Sequence, residues 1–281
     1  MNYKTVFAET IYQSFYPEAP IWSGENIFVP EMSKDRIARF SPNGHRTLFW
    51  SEENCGPTTI VKFNAFTYAV ACHIGGYIAM VSTSGTTVER IFTLAEKELH
   101  SPNNLFGDGS GVLFISDPGD FENSKRNRGS VFFYSENKQA EVLSNMRYPN
   151  GVEYDKVTNA LFVAEHLAQK VWMFSLMDDF SIGRKTVLLN RKSLFPNGVP
   201  YKLAGPDGLR LDGNGGLYIA LYGAGQLAYF SKNELSFYEQ PFQFVTNMAI
   251  SRDNKISIVG AYTNTEFPYL GSVVVKKLPL E

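Results

Sequence analysis

Four side chains that carry oxygen ligands stand just before predicted strands, at points far apart in the chain. They are Glu18, Asn103, Asn150 and Asp207. A strand start that recurs every several dozen residues is typical of a radial repeat, in which equivalent loops converge on one axis. The four side chains could therefore meet. Two carboxylates and two amides are ligands that a hard divalent cation prefers, so the sequence predicts a cation site.

The elements that would hold these side chains are β-strands. Runs of alternating or β-branched residues extend from Asn26 to Lys276, and turn sequences rich in Asn, Asp, Gly and Pro separate them. Only two segments favour a helical turn, Leu94 to Glu98 and Arg191 to Leu194. The sequence therefore predicts an all-β chain in which hairpin follows hairpin.

The repeat length points to one architecture. The phrases that contain the four side chains align with two others, and successive starts lie 37 to 57 residues apart. That spacing is close to one four-stranded blade of a β-propeller, and six such units fit. The aligned starts are Pro20, Pro57, Pro102, Pro149, Pro206 and Asn247. We expect a six-bladed β-propeller of four-stranded antiparallel blades, with residues 1–281 forming a single domain.

Ring closure is a further expectation. Because each blade is stabilised by its neighbours, the N-terminal strand should complete the last blade. That strand is placed at Thr5 to Glu9, beside Ser272 to Lys276. Two long connections, Asp117 to Gly129 and Asn190 to Lys202, either shape the mouth of a site or are solvated surface excursions.

Composition excludes several classes of function. A net charge of -2 and a pI near 6.1 give no basic footprint for nucleic acid, and no segment is apolar enough to enter a membrane. No HxH or HExxH spacing is present, which argues against a His-ligated zinc hydrolase. Cys55 and Cys72 lack a metal-type spacing and are predicted to be buried free thiols. We expect a soluble, cytoplasmic protein whose partner is a small-molecule substrate.

The ordered phrases resemble those of a known family. Glu18-Ala-Pro-Ile-Trp22 is similar to the Glu-Gly-Pro-x-Trp opening of the six-bladed propellers that include senescence marker protein, gluconolactonase and luciferin-regenerating enzyme. Ser101-Pro-Asn-Asn-Leu105 resembles the Pro-Asn-Asp phrase of that family. Pro149-Asn-Gly151 and Gly205-Pro-Asp-Gly208 complete the set, and the resemblance runs from Glu18 to Val275. It implies a metal-dependent lactonase.

The resemblance also implies roles for the four side chains. Glu18, Asn150 and Asp207 would be the protein ligands of one divalent cation, with calcium favoured by the oxygen ligands and zinc or magnesium as alternatives. Asn103 would lie beside the ion and hold substrate or water. The ion would polarise an ester carbonyl, and Asp207 would act as general base or, alternatively, as nucleophile. The expected reaction is hydrolysis of a sugar lactone or another small cyclic ester.

Five further residues are candidates for substrate contact. His100 and His166 could face the mouth as substrate contacts or proton carriers, with a structural role as the alternative. Phe121 and Tyr222 stand in predicted loops and could line a pocket. Asn104 replaces the usual Asp of the family, which removes a negative charge near the ion and leaves a group that cannot act as a base.

Two other functions stay open at this point. The same ion site could catalyse a different reaction, such as phosphotriester hydrolysis or a cyclisation or isomerisation in a biosynthetic pathway, which would suit Asn104 and the long loops. Alternatively, the propeller could bind a metabolite or a protein without catalysis, because one fold hosts many functions. Metal analysis and a panel of substrates would discriminate among the three.

Overall fold

The computed structural model describes residues 3–5, 10–119, 121, 128–263 and 265–280. The described chain is nearly all β, as the sequence predicts. The strands of its first half are β1 Tyr3–Thr5, β2 Thr10–Phe15, β3 Ile21–Ser23, β4 Asn26–Glu31, β5 Arg36–Phe40, β6 Arg46–Ser51, β7 Pro57–Lys62, β8 Thr67–Cys72, β9 Tyr77–Ser82, β10 Thr87–Ile91, β11 Thr93–Leu94, β12 Lys97–Glu98, β13 Leu105–Gly107 and β14 Val112–Asp117. Those of its second half are β15 Gly129–Ser135, β16 Lys138–Met146, β17 Pro149–Asp155, β18 Ala160–Glu165, β19 Lys170–Leu176, β20 Ile182–Leu189, β21 Gly205–Leu211, β22 Leu217–Tyr222, β23 Gln226–Ser231, β24 Glu234–Glu239, β25 Phe244–Ile250, β26 Lys255–Ala261 and β27 Leu270–Lys277.

Most of these strands form antiparallel sheets of four consecutive strands. β3 to β6, β7 to β10, β13 to β16 and β17 to β20 are each such a sheet. The remaining long strands form a nine-stranded sheet, in which β21 to β24 and the group β25, β26, β27 and β2 are linked through one pair, Tyr222 opposite Phe244. β1 adds to β24 in parallel. Repeated hairpins therefore dominate the topology.

The strand that joins the N-terminus to the last sheet differs from the prediction. β2, Thr10–Phe15, pairs with β27 from Thr10 opposite Val275 to Phe15 opposite Leu270. The predicted strand at Thr5 to Glu9 is wrong in position: Thr5 belongs to β1 and pairs with Glu239, and residues 6–9 lie outside the described chain. The cause is chain continuity, because β2 leads directly into the phrase that starts the next sheet.

The strand sequences explain how the sheets pack. The central strands β18 and β22 are buried on nearly every residue, and they read as continuous apolar runs because both faces are covered. The outer strands β10 and β20 are mostly exposed. One apolar cluster joins Ile78 of one sheet to Leu113 of the next, and another joins Phe114 to Leu161 of the sheet that follows. Consecutive sheets therefore pack face to face.

The two predicted helical turns have different outcomes. The α-helix Arg191–Leu194 is confirmed, and the Asn190 side chain caps it by accepting the Lys192 and Ser193 N–H groups. The segment Leu94 to Glu98 is instead a small hairpin of β11 and β12. Ala95 and Glu96 have φ values of 48° and 63° there, as a two-residue type I′ hairpin turn requires. No helix among the described residues is long and apolar enough to cross a membrane.

The prediction of free thiols is wrong. Cys55 and Cys72 form a disulfide, with their Cα atoms 4.5 Å apart. The register of the β7–β8 hairpin explains the pairing, because Pro57 lies opposite Cys72 and brings the preceding Cys55 next to it. Both cysteines are fully buried. A hairpin contact of this kind has no signature in the spacing of the two residues.

Six groups of four antiparallel strands begin with β3, β7, β13, β17, β21 and β25, and parallel bridges lie at two of the boundaries between groups. Parallel bridges join Ala19 to Thr59 and Lys62 to Asp108. The Thr58 and Thr59 hydroxyls donate to the Asn103 carbonyl oxygen at 2.6 and 2.7 Å. Parallel neighbours place their amino ends together, so the phrases before β3, β7 and β13 lie at the same end of the molecule.

Candidate metal and substrate site

A β-bulge near the start of several first strands aims the polar side chains. The ladder register shifts between Pro149 and Val152 in β17, and between Pro206 and Leu209 in β21. A bulge bends a strand and redirects its side chains. Asn150 and Asp207 lie within these shifts, so they belong to irregular strand starts.

The glycines that follow these residues allow close approach of neighbouring strands. A Cβ atom on Gly151 would lie 2.3 Å from the Asp207 carbonyl oxygen, and one on Gly208 would lie 2.2 Å from the Asn247 side chain. Any larger residue would push the strands apart. The Pro-Asn-Gly and Pro-Asp-Gly phrases therefore combine an oxygen ligand with the space to bring it beside the next one.

Glu18 and Asp207 form a buried carboxylate pair. Their exposed fractions are 9% and 6%. Burial raises the pKa of both, and the nearby charge of Asp207 raises the pKa of Glu18 further. The two charges also add to burial in raising the pKa of the Tyr16 and Tyr148 hydroxyls. The fold therefore brings the two distant carboxylates together, as the sequence requires for a shared site.

The two predicted amide residues lie at the same end. The Asn150 phrase packs on Asp207 through Gly151, as described above, and Asn150 Oδ1 is buried without a hydrogen-bond partner among the described residues. The Asn103 side chain faces the Tyr148 hydroxyl, which interacts with both carboxylates. A buried acceptor left unpaired costs about 1–3 kcal/mol. Asn150 Oδ1 is thus a buried acceptor without a partner, in a segment that packs on the Asp207 segment.

This donor set fits a hard divalent cation. No Lys, Arg or His side chain forms an ion pair with Glu18 or Asp207 in the described ranges. Two buried carboxylates without a cation are strongly unfavourable, whereas oxygen ligands of this kind hold calcium or magnesium. The described residues contain no group of three or more His, Cys, Asp or Glu side chains that could hold a metal. Any site here therefore needs the amides as well as the carboxylates.

Aromatic rings cover the polar cluster. Phe121 lies 4.9 Å from the Tyr148 ring, 5.5 Å from His166 and 6.3 Å from Tyr222, measured between centroids. The Tyr222 hydroxyl lies 3.2 Å from the Tyr16 hydroxyl. Tyr222 is the last residue of β22, so its predicted loop position is wrong, and its hydroxyl lies near the charges of Asp207 and Glu18.

His166 is in contact with the cluster, and its Nδ1 is buried without a hydrogen-bond partner among the described residues. It is almost completely buried, its Nε2 lies 2.9 Å from the Leu203 carbonyl oxygen, and a Cβ on Gly205 would lie 2.3 Å from its carbonyl oxygen. Burial lowers the pKa of His166 to about 4. The ring is therefore neutral at pH 7 and supports the aromatic cover.

His100 and Asn104 have different surroundings. His100 is exposed, and its backbone N–H donates to Asp117 Oδ2 at 2.9 Å. Asn104 is buried, and its Oδ1 accepts the Val152 N–H at 3.2 Å. That bond fixes β17 two residues beyond Asn150. Asn104 therefore positions a predicted ligand, and an Asp in its place would offer the same acceptor.

Tyr16 and Tyr148 were not among the site residues predicted from the sequence. Each stands two residues before a predicted ligand, in Tyr16-Pro-Glu18 and Tyr148-Pro-Asn150. Pro17 bridges Glu31 just as Pro149 pairs with Glu165. Pro17 is therefore the structural equivalent of Pro149, whereas the repeat was aligned on Pro20. The repeated Tyr-Pro before an oxygen ligand is the signal that could have identified both tyrosines.

Residues 16–258 match the family described as the SMP-30/Gluconolactonase/LRE-like region. The match covers well over half of the chain, so the protein belongs to this family. The family resemblance of the ordered phrases is thereby confirmed.

Relatives and a solved structure agree with this assignment. The chain is 28% identical to the gluconolactonase of Zymomonas mobilis over 45% of its length, and 26% identical to the lactonase drp35 of Staphylococcus saprophyticus over 57%. The aligned regions span only 38% and 49% of those two proteins. The structure of regucalcin from Agrobacterium tumefaciens, described as a calcium-binding protein, has a TM-score of 0.75 at 14% identity, covering 98% of this chain and 97% of that one. At this identity the similarity shows the fold alone.

Proposed function

We propose that the protein is a metal-dependent lactonase with its active site at the Glu18–Asp207 pair. One observation carries the proposal: two buried carboxylates lie together beside the unpartnered Asn150 Oδ1, and no described basic side chain pairs with them. Such an arrangement is unfavourable by itself and becomes favourable when a cation binds. Lactonase names among the relatives support the class of reaction.

The chain's own residues have separate roles in this proposal. Glu18, Asn150 and Asp207 would hold one divalent cation, and calcium is favoured because every ligand would be an oxygen atom. When bound, the ion would polarise the ester carbonyl and stabilise the developing oxyanion. Asp207 accepts a proton from the attacking water as general base. Asn103 orients water or substrate, held in place by the two threonine hydroxyls on its carbonyl oxygen.

We further propose that residues 1–281 form one domain in which the six groups of four antiparallel strands close into a propeller. Contacts between strand starts support the closure. The Thr246 hydroxyl donates to the Pro17 carbonyl oxygen at 2.8 Å, which joins β25 to the phrase that precedes β3. Trp22 Nε1 donates to the Ala249 carbonyl oxygen at 3.3 Å along the same boundary. Closure would explain why side chains from opposite ends of the sequence share one site.

The proposal is tested by Asp207→Asn, which keeps the shape of the side chain and removes its charge. We expect loss of at least about 100-fold in kcat/KM on a panel of lactones, because the variant loses both a ligand and the base. Purified wild-type protein should contain stoichiometric metal by elemental analysis, and the variant should not. Asp253→Asn, an exposed carboxylate in the β25–β26 turn, is the matched control and should retain both.

The outcomes separate the alternatives. Unchanged turnover in Asp207→Asn would refute the assigned role. Metal binding without hydrolysis of any lactone would favour another reaction at the same site. Absence of metal binding, with no activity after metal addition, would favour a non-catalytic binding protein.

A further inference from the structure

Aromatic side chains continue from the buried cluster to the protein surface. Tyr16, whose hydroxyl meets that of Tyr222, has its ring 6.1 Å from Tyr269, and Tyr269 lies 5.9 Å from Phe267. Tyr269 and Phe267 expose 46% and 72% of their surface. This outer branch, Phe267 and Tyr269, therefore connects solvent to the carboxylate pair through ring contacts.

A second branch reaches the same point from the other side of Tyr222. The Phe244 ring stacks on Tyr222 at 4.8 Å with an angle of 29°, and Tyr201 lies 5.7 Å from Phe244. Tyr201 is exposed at 37%. Single exposed apolar residues are common, whereas ligand sites are lined mainly by apolar and aromatic side chains around a few polar groups, as these rings are arranged around the carboxylate pair.

The chemistry of these aromatic rings favours one class of lactone over another. A polyhydroxylated sugar lactone needs hydrogen-bond partners for each hydroxyl group, and ring faces leave those groups unsatisfied. Aromatic faces instead bind flat or apolar groups through buried area and ring geometry. We propose that the site takes an uncharged lactone with an aromatic or alkyl substituent, which the outer branch binds. This inference rests on the proposed lactonase function.

Three lactones with the same five-membered ring provide the test. They are γ-butyrolactone, γ-phenyl-γ-butyrolactone and D-ribono-1,4-lactone, assayed with a pH indicator on the wild-type protein in calcium. We expect kcat/KM for the phenyl compound to exceed that for the ribonolactone by about 10-fold or more, the discrimination that an apolar pocket provides. A higher kcat/KM for the ribonolactone would overturn the inference.

Phe267→Ala tests the outer branch directly. The ratio of kcat/KM for the phenyl compound to that for γ-butyrolactone should fall about 3- to 10-fold, as loss of one aromatic contact predicts. Phe66→Ala is the matched control: Phe66 is 77% exposed in the β7–β8 turn, at the opposite end of its first strand from the site. The control should keep the wild-type ratio. Equal changes in both variants would refute the assignment.

A binding measurement separates this inference from the proposed function. If no lactone is hydrolysed, the proposed function fails, and calorimetric titration with the phenyl compound and the ribonolactone decides the inference. Tighter binding of the phenyl compound that Phe267→Ala weakens would support it. Equal binding of the two compounds would overturn it.

Discussion

Two buried glutamates on adjacent parts of the first sheet have opposite surroundings. Glu31 is fully buried and accepts hydrogen bonds from Ser14 Oγ at 2.8 Å and Arg36 Nε at 2.6 Å, with Arg46 at 3.4 Å. Glu18 lies one strand away, where its N–H donates to the Pro30 carbonyl oxygen, and its charged neighbour is Asp207. The chain neutralises one carboxylate with its own arginines, whereas the proposed function assigns the neutralisation of the other to a bound cation.

The contrast shows that similar buried carboxylates can serve stability at one position and function at another. A buried carboxylate with internal partners stabilises the fold, and removal of either partner is costly. A buried carboxylate beside another carboxylate destabilises the empty protein and creates affinity for a cation. Sites of function often reduce stability in this way. Three measurements test this contrast between Glu31 and the Glu18–Asp207 pair.

Glu31→Gln should have the largest effect on stability. The substitution leaves Arg36 and Arg46 facing a neutral amide in a buried setting, so the free energy of unfolding should fall by about 2–4 kcal/mol. Chemical denaturation measures the change. Glu25→Gln, at an exposed carboxylate, is the control and should change stability by less than about 0.5 kcal/mol. A small effect at Glu31 would remove the contrast between the two glutamates.

Calcium should stabilise the metal-free protein through the other glutamate. At a calcium concentration about 100 times the Kd, linkage predicts a gain of about 2.7 kcal/mol. Thermal unfolding with and without a chelator measures it. Glu18→Gln and Asp207→Asn should abolish the gain, whereas Glu31→Gln should retain it. A calcium effect that persists in both site variants would place the ion elsewhere.

The smallest effect concerns pH in the metal-free protein. The pKa values of Glu18 and Asp207 are raised by folding, so the unfolded chain loses these protons first as pH rises. Their ionisation therefore destabilises the fold above the ordinary carboxyl pKa of about 4. Asp207→Asn should raise Tm by about 2–4 °C at pH 7, and the gap should close near pH 4. A constant gap across this range would contradict the assigned pKa directions.

The disulfide bears on where the protein resides. The predicted cytoplasmic location stays a prediction, and the Cys55–Cys72 pair weighs against it because disulfides are rare in reducing compartments. The pair also braces the turn before the site: His73, next to Cys72, has its Nδ1 3.0 Å from the Ser101 carbonyl oxygen, two residues before Asn103.

Local patterns were enough to identify the all-β fold class and the family. Period-two and apolar runs predicted hairpin after hairpin, and the ordered phrases around Glu18, Asn150 and Asp207 identified the family that residues 16–258 match. The predictions were wrong where the pairing of strands overrode a local pattern. The hairpin at Ala95 and Glu96, the disulfide and the position of the N-terminal strand are of this kind. Each depends on which strands lie opposite one another.

Strand periodicity and repeated phrases are properties of neighbouring residues. Most of the strands and the candidate oxygen ligands could therefore be predicted from the sequence. The burial and the electrostatic environment of those side chains depend on the tertiary structure. The buried pairing of Glu18 with Asp207, the unpartnered Asn150 Oδ1 and the ring contacts from Tyr16 to Phe267 arise between distant segments. Burial and electrostatic coupling depend on three-dimensional proximity, and a linear pattern carries no measure of either.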